Sequence, residues 1–372
     1  MTIRSGVPKT IKPAKTARAA KTAAHPPAAA TPPTPNHANM SVEAKPSGRK
    51  GTPIPTPTHH LPGTDTLGEA SVYVGDCREV LAALPAVVNR ELDLVFADPP
   101  FNWNRDYHRW EQSDKASRVW DDAIPREDYL AFTREWLSLC AGGLKDSGSM
   151  WVNIPDDTAA EIVVYLKSIG LTMVNWCIWH YRFGQNRQNS FINSKVHALY
   201  FCKDPKQRTW NPAPILEPSD RATTYFDPRT LDKKDGMPAG MRVPMDVWYG
   251  QYWGRIQGNN AERRPAHDNQ LPEIYLERVI RCSSNAGDLV LDPFVGSGTT
   301  GVMARALNRR FVGTEFSPDN ARGAFERLGL GPARPLGDGL NAATNIFAAR
   351  KASDKAKRRM SSQTTGANLY GK

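Results

Sequence analysis

The stretch DLVFADPPFNWN, Asp93 to Asn104, carries an apolar run, Leu92 to Ala97, into an acid, two prolines and an aromatic ring. Prolines end strands because they cannot donate to the ladder. Here they do so with a carboxylate and a flat apolar face at the mouth of the turn. Two acceptors follow from these residues, the Asp98 carboxylate and the backbone carbonyl of Pro99. Pro99 and Pro100 offer no competing N–H and restrict the direction of that carbonyl. Phe101 adds a face on which a planar group can stack. Paired acceptors beside a stacking face suit an exocyclic amine on a planar heterocycle. Such an amine is a poor nucleophile, because its lone pair is delocalised into the ring. Acceptors aimed at its two N–H bonds favour the move toward tetrahedral geometry that attack requires. Taken alone, the tetrapeptide also reads as a strand end with a capping acid.

A second stretch, DLVLDPFVGSGTTGVMARALNRRFVGTEFS, has a strand ending at Asp292, a glycine turn, a helix from about Thr299 and a strand ending at Glu315. Gly296, Gly298 and Gly301 match G-x-G-x-x-G. One reading is a dinucleotide site, with a pyrophosphate on the helix N-terminus and the later acid on a ribose. Two features favour another nucleoside. The negative Asp292 sits badly beside a pyrophosphate but suits an ammonium group. The interval from Gly301 to Glu315 is short, and too little chain follows to complete a dinucleotide fold in sequence. S-adenosylmethionine carries an ammonium, a sulfonium and a ribose, and no phosphate. Asp292 pairs with its ammonium in this reading, Glu315 accepts from its ribose hydroxyls, and the glycines admit its methionine part. A tight turn that binds nothing is the bland alternative.

Together the two stretches describe an amine attacking a sulfonium methyl. A base swung out of a duplex and stacked on Phe101 gains roughly 1–3 kcal/mol, against a few kcal/mol for flipping it out.

These residues need strands that end at one edge. Short apolar runs read as strands at 71–74, 92–97, 149–154, 173–181, 196–202, 288–292 and 310–315. Amphipathic stretches between them read as helices at 78–84, 127–140, 157–168, 272–283, 299–307 and 319–328. The alternation predicts a doubly wound α/β sheet. Residues 204–265 break the rhythm, being rich in Pro, Gly, Asp and Arg, and read as an inserted lobe. The expected organisation is a disordered basic arm over 1–66, a catalytic domain over 67–330 and a basic tail over 331–372.

At this point the sequence resembles the S-adenosylmethionine-dependent amino-methyltransferases of DNA, over about residues 70–328. The resemblance is carried by DPPF at 98–101, DPFVGSGTT at 292–300, FVGTE at 311–315, GDCREVLAALP at 75–85 and HDNQLPEIYLERVI at 267–280. The catalytic motif precedes the cofactor motif, the permuted order of the beta class. The resemblance implies a mostly parallel, Rossmann-like sheet of seven strands. It implies that Asp76 accepts from the adenine amine of the cofactor and that Cys77 offers its backbone N–H beside it. It places Phe294, Gly296 and Gly298 around the methionine part, and Thr299 and Thr300 as donors to its carboxylate. His267 and Gln270 fall in a segment that touches the same end. Many relatives have a proline soon after that histidine where this chain has HDNQLP, and a helix-entry residue is the other reading of His267. Asp at position 98 leans toward N6 of adenine over N4 of cytosine. An RNA methyltransferase and a non-catalytic nucleic-acid binder stay open as alternatives.

The interval 204–265 falls where beta-class relatives carry target recognition, and it contains Lys206, Arg208, Arg221, Arg229, Lys233, Lys234, Arg242 and Arg255. Arginine can read guanine bidentately, whereas lysine serves mainly phosphates. These charges read mostly as phosphate contacts or solvated surface. Asn186, Gln188 and Asn189 are candidates to read the flipped base, with a polar hairpin turn as the alternative. The loop 102–110 reads as a clamp on the duplex.

The net charge is +10, and it lies in the ends. Residues 1–60 hold nine Lys/Arg against one acid, and 350–372 hold seven against one. Such ends act as counterion-releasing arms on a polyanion, or only as solvated tails. No apolar run is long enough to span a bilayer. The start lacks a secretory core, and its prolines argue against a transit peptide. Five widely spaced cysteines, an odd count without a Cys-x-x-Cys, argue against a disulfide framework or a zinc site and fit a reducing cytosol. The expected partners are double-stranded DNA, a second copy of the chain and a cognate restriction endonuclease.

Overall fold

The computed structural model describes residues 54–104, 121–181, 188–225, 227, 229, 238–250, 253–256, 260–264, 269–337 and 340. Its elements run β1 (His59–Leu61), β2 (Ala70–Val74), α1 (Cys77–Ala83), α2 (Pro85–Val88), β3 (Leu92–Ala97), α3 (Arg126–Gly143), β4 (Leu144–Ile154), α4 (Ala159–Ser168), β5 (Thr172–His180) and β6 (Lys195–Cys202). There follow β7 (Glu217–Pro218), α5 (Asp220–Thr223), β8 (Met241–Arg242), β9 (Val247–Trp248), α6 (Glu273–Ser283), β10 (Leu289–Asp292), α7 (Thr299–Ala306), β11 (Arg310–Glu315) and α8 (Pro318–Leu330). Every strand and helix expected from periodicity is present within a few residues.

The main sheet has the order β1-β2-β11-β10-β3-β4-β6-β5-β9. β2, β11, β10, β3 and β4 are mutually parallel, and β6 runs antiparallel between β4 and β5. The seven long strands are those expected, and short β1 and β9 extend the two edges. Burial on both faces explains the unbroken apolar runs. Along β3, Leu94 and Phe96 enter one core with α6, α7 and α8, while Val95 and Ala97 enter the other with α1, α3 and α4. Asp93 is the charged exception inside that run. It accepts from Lys145 at 2.8 Å and from the Leu289 amide at 2.9 Å, which ties β3 to β10.

Three boundaries differ from expectation. β1 lies inside the expected arm but pairs antiparallel with β2, His60 opposite Ser71. The expected tail begins at 331, yet the amides of Ala333 and Arg334 donate to Glu273, and that of Gly337 donates to Glu277. The interval 204–265 is not wholly separate from the sheet, because β9 pairs with β5 and Trp248 and Trp253 pack in the core. Pairings of two or three residues are too short to show a period, so composition concealed them. No helix among the described residues is long and apolar enough to cross a membrane.

Candidate active site

Because five neighbouring strands are parallel, their carboxyl ends share one edge. Asp76 follows β2, Glu315 ends β11, Asp292 ends β10, Asp98 follows β3, and Asn153 lies at the end of β4. The connection through α7 leads away from β10 toward β11, and the one through α3 leads away from β3 toward β4. The strand order therefore reverses between β10 and β3, the position where open α/β sheets bind ligands. Asp292 and Asp98 stand on its two sides.

The DPPF turn is held from three directions. Asn153 donates from Nδ2 to Asp98 Oδ1 at 3.1 Å, and Tyr129 donates its hydroxyl to the Pro100 carbonyl at 2.9 Å. Beyond the turn, the buried Asp122 carboxylate accepts from the amides of Asn102 at 2.9 Å and Trp103 at 3.0 Å. Asn102 itself adopts a φ of 57° and bridges to both backbone groups of Ile124. Phe101 is partly buried and meets Trp103 edge-on at 5.1 Å.

The glycine turn is built as its sequence requires. Gly296 and Gly298 have φ of 51° and 78°, the left-handed region that disfavours a side chain. The third glycine serves packing: a Cβ on Gly301 would stand 2.7 Å from the Phe311 ring. The Gly296 amide donates to Glu315 at 2.8 Å, and the Ser317 amide donates to its other oxygen at 3.0 Å. Burial raises the Glu315 carboxyl despite these donors. Asp292 is buried, accepts from the Phe294 amide at 2.8 Å, and takes a hydrogen bond from Thr300. Burial, with lesser contributions from the charges of Asp98 and Glu315, pushes its carboxyl up to about 7.

Other predicted residues occupy structural positions. Asp76 caps α1, and Arg78 closes on it through its amide and its guanidinium, at 2.9 and 2.7 Å. Burial opposes the charge of Asp76, but the Arg78 hydrogen bonds outweigh it and lower the carboxyl. Cys77 is buried beside this cap. The Phe294 ring meets Trp136 at 5.0 Å, so it forms a wall toward α3. The Thr299 hydroxyl lies 3.3 Å from the Leu271 carbonyl and accepts from Arg327 at 2.7 Å. Gln270 donates to the Glu262 carbonyl at 2.5 Å and accepts from the Arg264 amide at 3.0 Å. His267 lies outside the described residues, as do Asn186, Lys233, Lys234 and residues 105–110.

The arginines of 204–265 are more engaged than their composition suggested. Arg221 and Arg229 pair with Asp227, and Arg242 pairs with Glu217 and Asp220. Arg208 stacks near Trp210 at 5.1 Å, and Arg255 lies over Tyr181 at 4.4 Å. Sequence reading also passed over Arg78, Asn153 and Tyr275. A polar residue inside the apolar run SMWVNI was the available signal for Asn153.

Comparison with known proteins agrees with this geometry. Residues 92–326 match the N6/N4 family model described as DNA methylase. The type II methyltransferase M.HpaI of Haemophilus parainfluenzae is 31% identical over 253 residues, covering 68% of this chain and 73% of that protein. The type II methyltransferase M.BamHI of Bacillus amyloliquefaciens is 31% identical over 247 residues, covering 66% of this chain and 54% of its own length. The chain thus spans about half of that second relative. A solved structure of the PvuII DNA methyltransferase, a cytosine-N4-specific protein, shares the fold at a TM-score of 0.52 and 15% identity, covering 78% of this chain and 96% of that one.

Proposed function

The chain belongs to the N6/N4 DNA methylase family, and on that premise we propose that it methylates the N6 amine of an adenine flipped out of double-stranded DNA, using S-adenosylmethionine. The observation that carries this reading is the reversal of strand order between β10 and β3, with Asp292 on one side and Asp98 on the other.

The residues fit that cofactor. Asp292 is a buried carboxylate whose surroundings disfavour its charge, and an ammonium group beside it relieves that penalty. Gly296 and Gly298, both at positive φ, offer backbone without a side chain to the methionine part. Glu315, oriented at the end of β11 by the Gly296 and Ser317 amides and by further hydrogen bonds from Asn320 and the Phe316 amide, is the acid assigned to the ribose hydroxyls. Asp76, its rotamer held by Arg78, takes the adenine end with the Cys77 amide. Phe294 and Thr300 border the methionine part in this reading, and His267, outside the described residues, is assigned to the same end of the cofactor. The Thr299 hydroxyl ties the start of α7 to the Leu271 carbonyl and to Arg327, and Gln270 holds the backbone of 262–264.

When bound, the cofactor supplies an electrophilic methyl group on a sulfonium. Asp98 accepts one N–H of the base amine and the Pro99 carbonyl accepts the other. Asp292, Glu315 and Asp76 would hold the cofactor so that its methyl group is presented to the amine nitrogen. Asp98 would offset the positive charge that develops on nitrogen, whose surplus proton would be released to solvent water. Phe101 stacks the base. Residues 204–265 carry target recognition, and the basic ends add sequence-independent contacts. A second copy and a cognate restriction endonuclease are the further partners of this reading, and the cytoplasm is its compartment.

Transfer of a labelled methyl group to duplexes with adenine or cytosine as the only methylatable base tests the reading. Label on adenine is expected. Label on cytosine alone reassigns the base to N4, and no label on either refutes the activity.

A further inference from the structure

Asn153 and Tyr275 form a buried pair to which no role has been assigned so far. Asn153 lies on β4 and is fully buried, as is Tyr275 on α6. Its neighbours Val152 and Ile154 point into the opposite core, so Asn153 occupies a position where alternation calls for an apolar side chain. Burying an amide there is costly unless both of its ends are satisfied. They are. The Tyr275 hydroxyl donates to Asn153 Oδ1 at 2.6 Å, and Asn153 Nδ2 donates to Asp98 Oδ1 at 3.1 Å.

The two bonds define each other's direction. If the amide were turned over, its oxygen would face the Asp98 carboxylate, acceptor against acceptor. Tyr275 opposes that flip by giving Oδ1 a donor. The tyrosine ring is itself held. It meets Phe96 at 5.8 Å, Trp179 at 5.6 Å and Trp248 at 5.3 Å, each edge-on. A short rigid chain thus runs from an aromatic cluster to the acid that follows β3.

We propose that Asn153 and Tyr275 are positioning residues for the methyl-transfer step, holding the Asp98 carboxylate in the rotation that presents it to the base amine. The inference rests on the role assigned to Asp98. An oriented acceptor lowers the barrier only if it is already aimed when charge develops. A carboxylate free to rotate must be ordered during the reaction, and turnover falls while ground-state binding does not.

The test is steady-state methyl transfer by the full chain, with calorimetry for S-adenosylmethionine. Tyr275→Phe keeps the ring and removes only the hydroxyl. Its kcat is expected to fall about three- to tenfold, the worth of one neutral hydrogen bond, with KM for DNA and cofactor affinity unchanged. Asn153→Leu should lose about a hundredfold or more in kcat. If Asn153→Leu does not fold, Tyr275→Phe decides alone. Wild-type kcat in Tyr275→Phe overturns the proposal, as does a change confined to KM or a parallel loss of cofactor binding. Equal activity of Asp98→Ala and wild type instead removes the reading beneath it.

Discussion

Asp292 and Asp98 close two adjacent parallel strands, β10 and β3, and the negative charge of Asp98 adds to burial in holding Asp292 up at about 7. This relationship has a measurable consequence. A buried acid whose pKa is raised on folding favours its neutral form in the folded chain. Its contribution to stability is complete below the ordinary aspartate range and is lost as pH rises through about 7. Binding of a cationic group has the opposite sign, because it needs the carboxylate. Affinity for S-adenosylmethionine should therefore rise by up to about tenfold per pH unit below 7 and level off above it. Asp292→Asn should bind weakly with most of this dependence gone. Calorimetry from pH 5.5 to about 8.5 checks both; equal slopes in variant and wild type would exclude Asp292 as the group.

Asp98→Asn should retain structure and cofactor affinity yet lose roughly 10²–10³-fold or more in turnover. The amide keeps one acceptor oxygen but not the charge that offsets the developing positive nitrogen. Phe101→Ala should instead weaken capture of the flipped base, whereas Phe101→Trp should keep most activity. Single-turnover transfer of labelled methyl separates the two effects.

Arg327 is buried under the glycine turn, 2.9 Å from Glu273, which also accepts the amides of Ala333 and Arg334. Arg327→Met leaves a buried carboxylate without its main partner, at a cost of about 3–5 kcal/mol. The double change Arg327→Met with Glu273→Met should recover much of that loss. Urea denaturation of the two variants and the wild type measures it. A single variant as stable as the wild type would show that the pair is not coupled.

Deleting residues 1–53 removes nine Lys/Arg and leaves β1 intact. Base preference and turnover at low salt should stay nearly unchanged. DNA affinity should fall, and the slope of log K against log salt should flatten by about 0.9 for each phosphate that the arm neutralises. Binding titrations at several salt concentrations test this. Equal slopes would mean that the arm does not touch DNA.

The sequence by itself determined the elements and the residue types at their ends. Apolar runs, helical periods, glycines at positive φ and acids after strands are local properties, and local forces suffice to express them. Asp98, Asp292 and Glu315 were legible for that reason. The tertiary structure alone decided what these residues touch. Asn153 and Tyr275 stand 122 positions apart, and nothing near either predicts that they meet. The same holds for Gln270 turned onto 262–264, for Gly301 packed on Phe311, and for the amides of 333 and 334 on Glu273. Strand order is the physical reason. It is set by which apolar faces bury together across distant parts of the sequence, and only that order brings β3 beside β10 and their two acids to the same edge.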